Sequence, residues 1–394
     1  MFSALVLVVT LGSGVAAATA PPAAARAARS ARADDLPADR TLAGGVTVNF
    51  LSFRSTSGRQ QRAELMHVDL TNRRVDLAAT VAHGAIGAPR QTVVTQVRRA
   101  RAIGGINTDF FDLFSRRAKP RGGVISDGEI LKSPRRDWDA NLYVRHGRAA
   151  VGQLTMTGTI TRAARKHVRA TTAQLFGVNT LSDLARGRIV LVTAALAAPR
   201  FGRACTVVTG TRDARGRLVV AATYSALTAV ARRSGRGVAL VACGRGARAT
   251  WLHRQVVKGD RLTLATTFPG GTPQTLVSGG RVLIAKGRRF DDAGGEVVDG
   301  PRNPETFACV SRNGRQVVLG VVDGFAADSA GVSYAELTAF LLGRGCWSGI
   351  VFDGGGSSTL VGRASTHDAI DVYDEPADGD PRAVPAGLVV RYRA

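Results

Sequence analysis

Gly349-Ile350-Val351-Phe352-Asp353-Gly354-Gly355-Gly356-Ser357-Ser358-Thr359-Leu360 runs a strand of buried character straight into an acid, three glycines and three hydroxyls. Consecutive glycines give up much backbone entropy on folding. They are expected where the chain bends sharply or brings its N–H groups close to a ligand. A plain strand-to-turn junction capped by Asp353 needs neither the third glycine nor the hydroxyl cluster, so the segment reads as part of a site.

The residues before it place it in a fold. Arg315 to Val322 has the pattern of a buried strand ending at Asp323-Gly324, and Ser333-Tyr334-Ala335-Glu336 is a capping box opening a helix with Leu337, Phe340 and Leu341 on its apolar stripe. Gly343 and Gly345 stop that helix before the strand Gly349 to Phe352. The unit is therefore strand, helix, strand, with the two strands expected parallel, joined right-handedly, and ending in Asp323 and Asp353 at one edge of a sheet.

A second unit of this kind lies upstream. Val75 to Val81 is strand-like, Thr92 to Arg101 has helical spacing, and Ala102 to Ile106 is an apolar strand running into Asn107-Thr108-Asp109-Phe110-Phe111. Asn107 and Asp109 could merely cap a turn. The two aromatics beside them favour a sugar site, because a sugar ring packs its C–H faces on aromatic rings while carboxylates and amides hold its hydroxyls.

Four segments in this order, Ile106-Asn107-Thr108-Asp109-Phe110-Phe111, Arg302-Asn303-Pro304-Glu305-Thr306, Val322-Asp323-Gly324 and Phe352-Asp353-Gly354-Gly355-Gly356-Ser357-Ser358, resemble the motifs of the phosphodiester glycosidase family. The resemblance runs from about Thr92 to the C-terminus and includes Val256-Val257-Lys258-Gly259-Asp260, Val277-Ser278-Gly279-Gly280 and Val372-Tyr373-Asp374-Glu375-Pro376. Three positions depart from the family pattern. Glu305 stands where an arginine is usual, Asp374 where an asparagine is usual, and Pro381-Arg382 where a Glu-Arg pair is usual. An anion in place of a cation weakens phosphate binding by Coulomb repulsion unless Arg302 or Arg382 compensates.

The resemblance implies hydrolysis of the bond between a sugar anomeric carbon and a phosphodiester, with no cofactor. The leaving group is then an acidic phosphate monoester, which needs little proton donation and more anion stabilisation. Arg302, Arg382 and the backbone of Gly354, Gly355, Gly356 and Ser357 are candidates for that task. Asp353, Asp323 and Asp109 are candidates for the carboxylate that attacks C1 or activates water. Asn107, Phe110, Asn303, Glu305, Thr306 and Ser358 complete the expected substrate contacts. Two other readings remain. One is a serine hydrolase using Ser357 or Ser358, although no Gly-x-Ser-x-Gly elbow is present and only His367 follows. The other is a glycan-binding or wall-binding module without catalysis.

The 394 residues, 45 % of them apolar, can bury one large or two modest cores. Residues 1–20 read as a signal peptide with Ala18-Thr19-Ala20 as a cleavage candidate, 21–40 as a disordered Ala/Arg/Pro linker, and 41–394 as the glycosidase-like domain with a strand-rich portion at about 151–290. The expected architecture is α+β: a mixed sheet with a few crossover helices. The location expected is extracytoplasmic, with no stable membrane insertion after processing. Cys205, Cys243, Cys309 and Cys346 allow three pairings, of which 205 with 243 and 309 with 346 is the most local, or they could remain buried thiols. The six histidines have no zinc spacing. A net charge of +23 raises nucleic acid as a partner, but no binding motif for it is present, and the basic surface better suits a phosphate-bearing glycan.

Overall fold

A computed structural model describes residues 36–135, 140–197, 201, 204–225, 237–290 and 300–393. The expected signal peptide and most of the expected linker lie outside these residues.

Two sheets and two helices build the layers that carry the candidate site. The first sheet has eight strands in the order Arg40–Ala43, Val46–Arg54, Gln60–Asp69, Gln316–Val322, Glu305–Val310, Ser348–Val351, Arg281–Ala285 and Arg288–Arg289. The second has five, in the order Asp371–Val372, Leu360–Gly362, Gly104–Asn107, Ala386–Tyr392 and Val75–Val81. Alternation along the strands sorts their residues into faces. Met66, Val68, Leu319, Val321, Ile350 and Phe352 from the first sheet share a core with Leu77, Ala79, Ile106, Leu360, Leu388 and Val390 from the second. The intervening residues Leu65, Phe307, Val322 and Val351 pack outward on Leu337 and Leu341 of the helix Tyr334–Gly343. Ala78, Val361 and Val389 do the same against Val93 and Val97 of the helix Val93–Arg99. The order is helix, sheet, sheet, helix.

Both helices begin as their sequences require. Ser333 accepts from the Glu336 N–H while the Glu336 carboxylate accepts from the Ser333 N–H, and Thr92 accepts from the Thr95 N–H. Gly345 takes the left-handed conformation (φ +74°) that ends the first of these helices, whereas Gly343 is still inside it.

The two strands of each unit are parallel as expected, but the two sheets that hold them pair antiparallel throughout and are not mixed. Strands Gln316–Val322 and Ser348–Val351 are parallel to each other, but Glu305–Val310 lies between them and runs antiparallel to both. Gly104–Asn107 and Val75–Val81 are likewise separated by the antiparallel Ala386–Tyr392. In the first unit the intervening strand is the one just before it in the chain, joined to Gln316–Val322 by a short turn, and in the second it arrives from the C-terminal end. Local periodicity reports neither strand's second partner. With four α-helices among the described residues, the fold is mostly β rather than a balanced α+β.

The strand-rich central portion forms a further eight-stranded sheet from Thr157 to Thr267, with its own apolar cluster around Ile160, Leu175, Val208, Leu218, Leu240 and Leu262. A second five-stranded sheet contains the hairpin turned by Asp127-Gly128, both at positive φ. Cys205 bonds to Cys243 and Cys309 to Cys346, the most local of the three pairings.

Candidate active site

Asp353 lies where the two sheets meet. After the strand Ser348–Val351, the Phe352 N–H still donates to the Thr306 carbonyl (2.7 Å), but the Asp353 N–H donates to the Thr108 carbonyl of the other sheet's chain (3.1 Å). Asn107 holds the crossing. Its side-chain N–H donates to the Asp353 carbonyl at 2.6 Å, and its side-chain oxygen accepts from the Thr306 hydroxyl (2.8 Å) and the Thr359 N–H (3.1 Å). Asn107 is fully buried, so its amide positions the loop and is not offered to a substrate.

The Asp353 carboxyl is half-buried, and burial pushes its pKa up to about 6. The Ser357 hydroxyl and the guanidiniums of Arg382 and Arg121 act in the opposite direction. Arg382 in turn pairs with Asp378 (2.6 Å) and donates to the Ser357 hydroxyl (3.4 Å).

The glycines serve space and conformation, and of the four amides expected to face a phosphate those of Gly355 and Ser357 are bonded within the protein. A Cβ on Gly354 would stand 2.6 Å from a Glu305 carboxylate oxygen and 2.7 Å from the Pro304 carbonyl. Gly355 has φ +61° and donates its N–H to the Pro304 carbonyl at 2.8 Å. Gly356 lies directly under the Arg382–Asp378 pair. The N–H groups of Ser357 and Ser358 donate within the turn to Gly354 and Gly355.

Two further carboxyls flank Asp353, and both are almost inaccessible. Glu305 is 2 % exposed and faces the helix Tyr334–Gly343 side of its sheet, as Phe307 and Val351 do. It keeps a hydrogen bond with Asn303, while one carboxyl oxygen has no partner among the described residues. Burial, reinforced by the charge of Asp353, pushes its pKa well above the carboxylate range. Tyr334 is raised by burial and by these same two acids, with Arg281 acting against them. Asp109 is 2 % exposed and accepts from the Gly122 N–H, and its other oxygen has no hydrogen-bond partner among the described residues. Burial lifts Asp109 to about 7 against the charge of Lys132, and lowers Lys132 to about 8. The Lys132 ammonium donates to the carbonyls of Pro120, Arg121 and Gly122, each at 2.6 Å. Phe110 covers Gly280, whose N–H is bonded to the Val351 carbonyl, so this ring is at the same strand end.

Asp323 does not join this group. It shares the strand-end level with Asp353 but follows Val322, and alternation turns it to the inter-sheet face, with Glu64 and Thr306. There it accepts from the Glu375 N–H (3.0 Å), and burial followed by the charge of Asp374 pushes it far up. Glu64, Asp323 and Asp374 thus form a buried carboxyl cluster on the opposite face from Glu305 and Asp353. Arg302 pairs with Glu336 at 3.1 Å. Thr306 is buried in the Asn107 knot, and Asn303 serves Glu305. Ser357 and Ser358 are buried, and neither is hydrogen-bonded to a histidine among the described residues. Among the described residues no group of His, Cys, Asp or Glu is arranged to hold a metal ion.

Sequence reasoning missed Arg121, Lys132, Tyr334, Arg281 and Glu64. Arg281 follows the Val277-Ser278-Gly279-Gly280 motif and Tyr334 sits inside the capping box, so both were adjacent to recognised signals. Arg121, Lys132 and Glu64 reach their places only through long-range folding.

No curated protein matches this chain. A hypothetical protein from Synechocystis superposes with a TM-score of 0.70 at 19 % identity, over 91 % of this chain and 64 % of its own length. The chain therefore spans about two-thirds of that protein. A Burkholderia pseudomallei protein described as exported gives a TM-score of 0.63 at 21 % identity, over 85 % of this chain and 74 % of its own. These two share the fold. The catalytic domain of zebrafish N-acetylglucosamine-1-phosphodiester alpha-N-acetylglucosaminidase aligns over 91 % of this chain and 85 % of its own at 16 % identity, but its TM-score of 0.45 is too low to carry an argument. The family model described as phosphodiester glycosidase matches residues 216–391, which include Glu305, Asp323, Asp353 and Arg382 but not Asn107 or Asp109. Over those residues the chain carries a domain of the phosphodiester glycosidase family.

Proposed function

We propose that this protein is a secreted glycosidase that hydrolyses the bond between a sugar anomeric carbon and a phosphodiester on cell-envelope or exopolysaccharide glycans. The observation that carries the reading is the asymmetry among the carboxyls. Asp353 is the reachable one, flanked by buried Asp109 and Glu305 and held in the field of Arg382 and Arg121.

Asp353 ionises readily at neutral pH, so it is the group that attacks C1 or draws a proton from water as positive charge develops on the sugar ring. Burial favours the protonated forms of Asp109 and Glu305, which lessens their repulsion of the departing phosphate. Arg382 and Arg121 are the cations that would receive that phosphate, the part expected from the sequence of Arg302 and Arg382. Asp323 is assigned a place in the inter-sheet cluster and not in the chemistry. The two disulfides fit an oxidising compartment, and no helix among the described residues is long and apolar enough to cross a membrane.

Turnover of a chromogenic aryl ester of a sugar 1-phosphate tests this reading. The wild type should release sugar, and Asp353→Asn should lose about 10²–10⁴-fold in rate, the range for removal of a catalytic acid or base. An Asp353→Asn variant at wild-type rate would remove that residue from the chemistry.

A further inference from the structure

The loop between Phe110 and Arg121 has a tip that the catalytic reading does not use. Its base is firmly set. The Arg121 N–H donates to the Phe110 carbonyl at 2.9 Å and closes the loop, while the Arg90 N–H reaches the Arg116 carbonyl at 3.3 Å. Phe111 and Ala118 are 8 % and 2 % exposed and pack with Val93 and Val97 of the helix beneath. At the tip, Asp112 accepts from the N–H groups of Phe114 (3.1 Å) and Ser115 (3.2 Å), which turns the chain so that Leu113 and Phe114 point away from the protein.

Phe114 is 90 % exposed and Leu113 42 %, and they are two of only four exposed large hydrophobic residues among the described positions. A phenylalanine held out by an ordered loop leaves an aromatic face in water without a folding reason. Arg116, Arg117 and Lys119 are exposed immediately behind it. Leu113 beside Phe114 adds apolar bulk with no flat face for a sugar ring and no hydrogen-bonding atom for its hydroxyls, so the pair suits a hydrocarbon boundary better than a glycan. Cations one turn behind the apolar tip lie where lipid phosphates would be.

We propose that this loop docks the protein on an anionic phospholipid surface, with Leu113 and Phe114 entering the headgroup–acyl boundary and Arg116, Arg117 and Lys119 contacting lipid phosphates. The loop begins one residue after Asp109 and ends at Arg121, whose charge acts on Asp353, so docking would hold the candidate site close to the bilayer. This inference goes beyond the catalytic reading and stands without it.

The test places a reporter at the tip of the full chain. Phe114→Trp should show blue-shifted emission and quenching by brominated lipid, in excess of the wild-type background, on vesicles containing phosphatidylglycerol but not on pure phosphatidylcholine. Whatever the N-terminal residues contribute to vesicle binding, this tryptophan reports on the loop alone. The double variant Arg116→Ser/Arg117→Ser should weaken binding roughly tenfold or more at low salt and less at high salt. Leu113→Ser/Phe114→Ser should reduce co-sedimentation while leaving turnover of a small soluble substrate unchanged. A tryptophan at position 114 that stays water-exposed beside anionic vesicles, or that responds to a phosphate-bearing polysaccharide and not to lipid, would overturn the proposal. So would vesicle binding equal in the wild type and the Leu113→Ser/Phe114→Ser variant.

Discussion

Asn107, the last residue of a strand in one sheet, donates its side-chain amide to the main-chain carbonyl of Asp353 at the end of a strand in the other, 2.6 Å away. The same amide group ties down Thr306 and Thr359. The reachable carboxyl of the candidate site is therefore set by an agreement between two sheets and not by its own loop.

Removing that agreement should be expensive. Asn107→Ala deletes three hydrogen bonds at a fully buried position and leaves the Thr359 N–H and the Asp353 carbonyl without this partner. We expect about 2–4 kcal/mol of lost stability, since each orphaned buried polar group costs about 1–3 kcal/mol. Thermal unfolding checks this, and turnover should fall with it because the Asp353 loop is no longer held.

The pH dependence of turnover follows from Asp353. Its pKa is raised to about 6 by burial, and the proposed role needs the ionised form. The rate should fall as pH drops through about 6. Rate profiles of the wild type against Arg382→Ala test the cause: without that guanidinium the limb should move to higher pH.

Stability should have an opposite slope with pH, arising from the inter-sheet cluster. Burial raises Asp374 from an ordinary 3.8 to about 7, and Asp323 and Glu64 are pushed up as well. Below about pH 4 the folded and unfolded states both hold the proton. From there to about 7 only the folded state does, so the unfolded chain binds fewer protons and stability declines as pH rises. Asp374→Asn keeps an oxygen to accept the Leu360 N–H and removes the charge. It should raise the melting temperature at pH 8 and do little at pH 4.

Glycine substitutions should divide by surroundings. Gly354→Ala puts a methyl against the Glu305 carboxyl and the Pro304 carbonyl and should disable the site. Gly343→Ala meets nothing within 4 Å at the end of a helix and should stabilise by about 0.5–1 kcal/mol. Unfolding midpoints of the two variants give the comparison.

Local chemistry made much of this legible in the sequence. The Ser333 capping box, the helix begun at Thr92 and the strand-end positions of Asn107, Asp109, Asp323 and Asp353 follow from short-range rules and appear in the fold. The placement of Ala386–Tyr392 did not, because both its partners are distant in sequence, nor did the pairing of Glu305–Val310 with Ser348–Val351, since the short turn to Gln316–Val322 specifies only one of its two neighbours. Asp323 shows the cost of that gap. It ends a strand at the same level as Asp353, yet it is an odd number of residues out of phase with the Glu305 face, and a period of two sends it to the opposite side. The true neighbours of Asp353, Arg121 and Arg382, come from loops whose return path no periodicity records.

The central claim is that the bond broken is the one at the sugar carbon. Hydrolysis of a sugar phosphodiester in ¹⁸O-labelled water, followed by mass analysis of both products, tests it most directly. The account predicts the label at C1 of the released sugar and none in the phosphate monoester, with both products lost in Asp353→Asn. Label in the phosphate would mean cleavage at phosphorus and would contradict it.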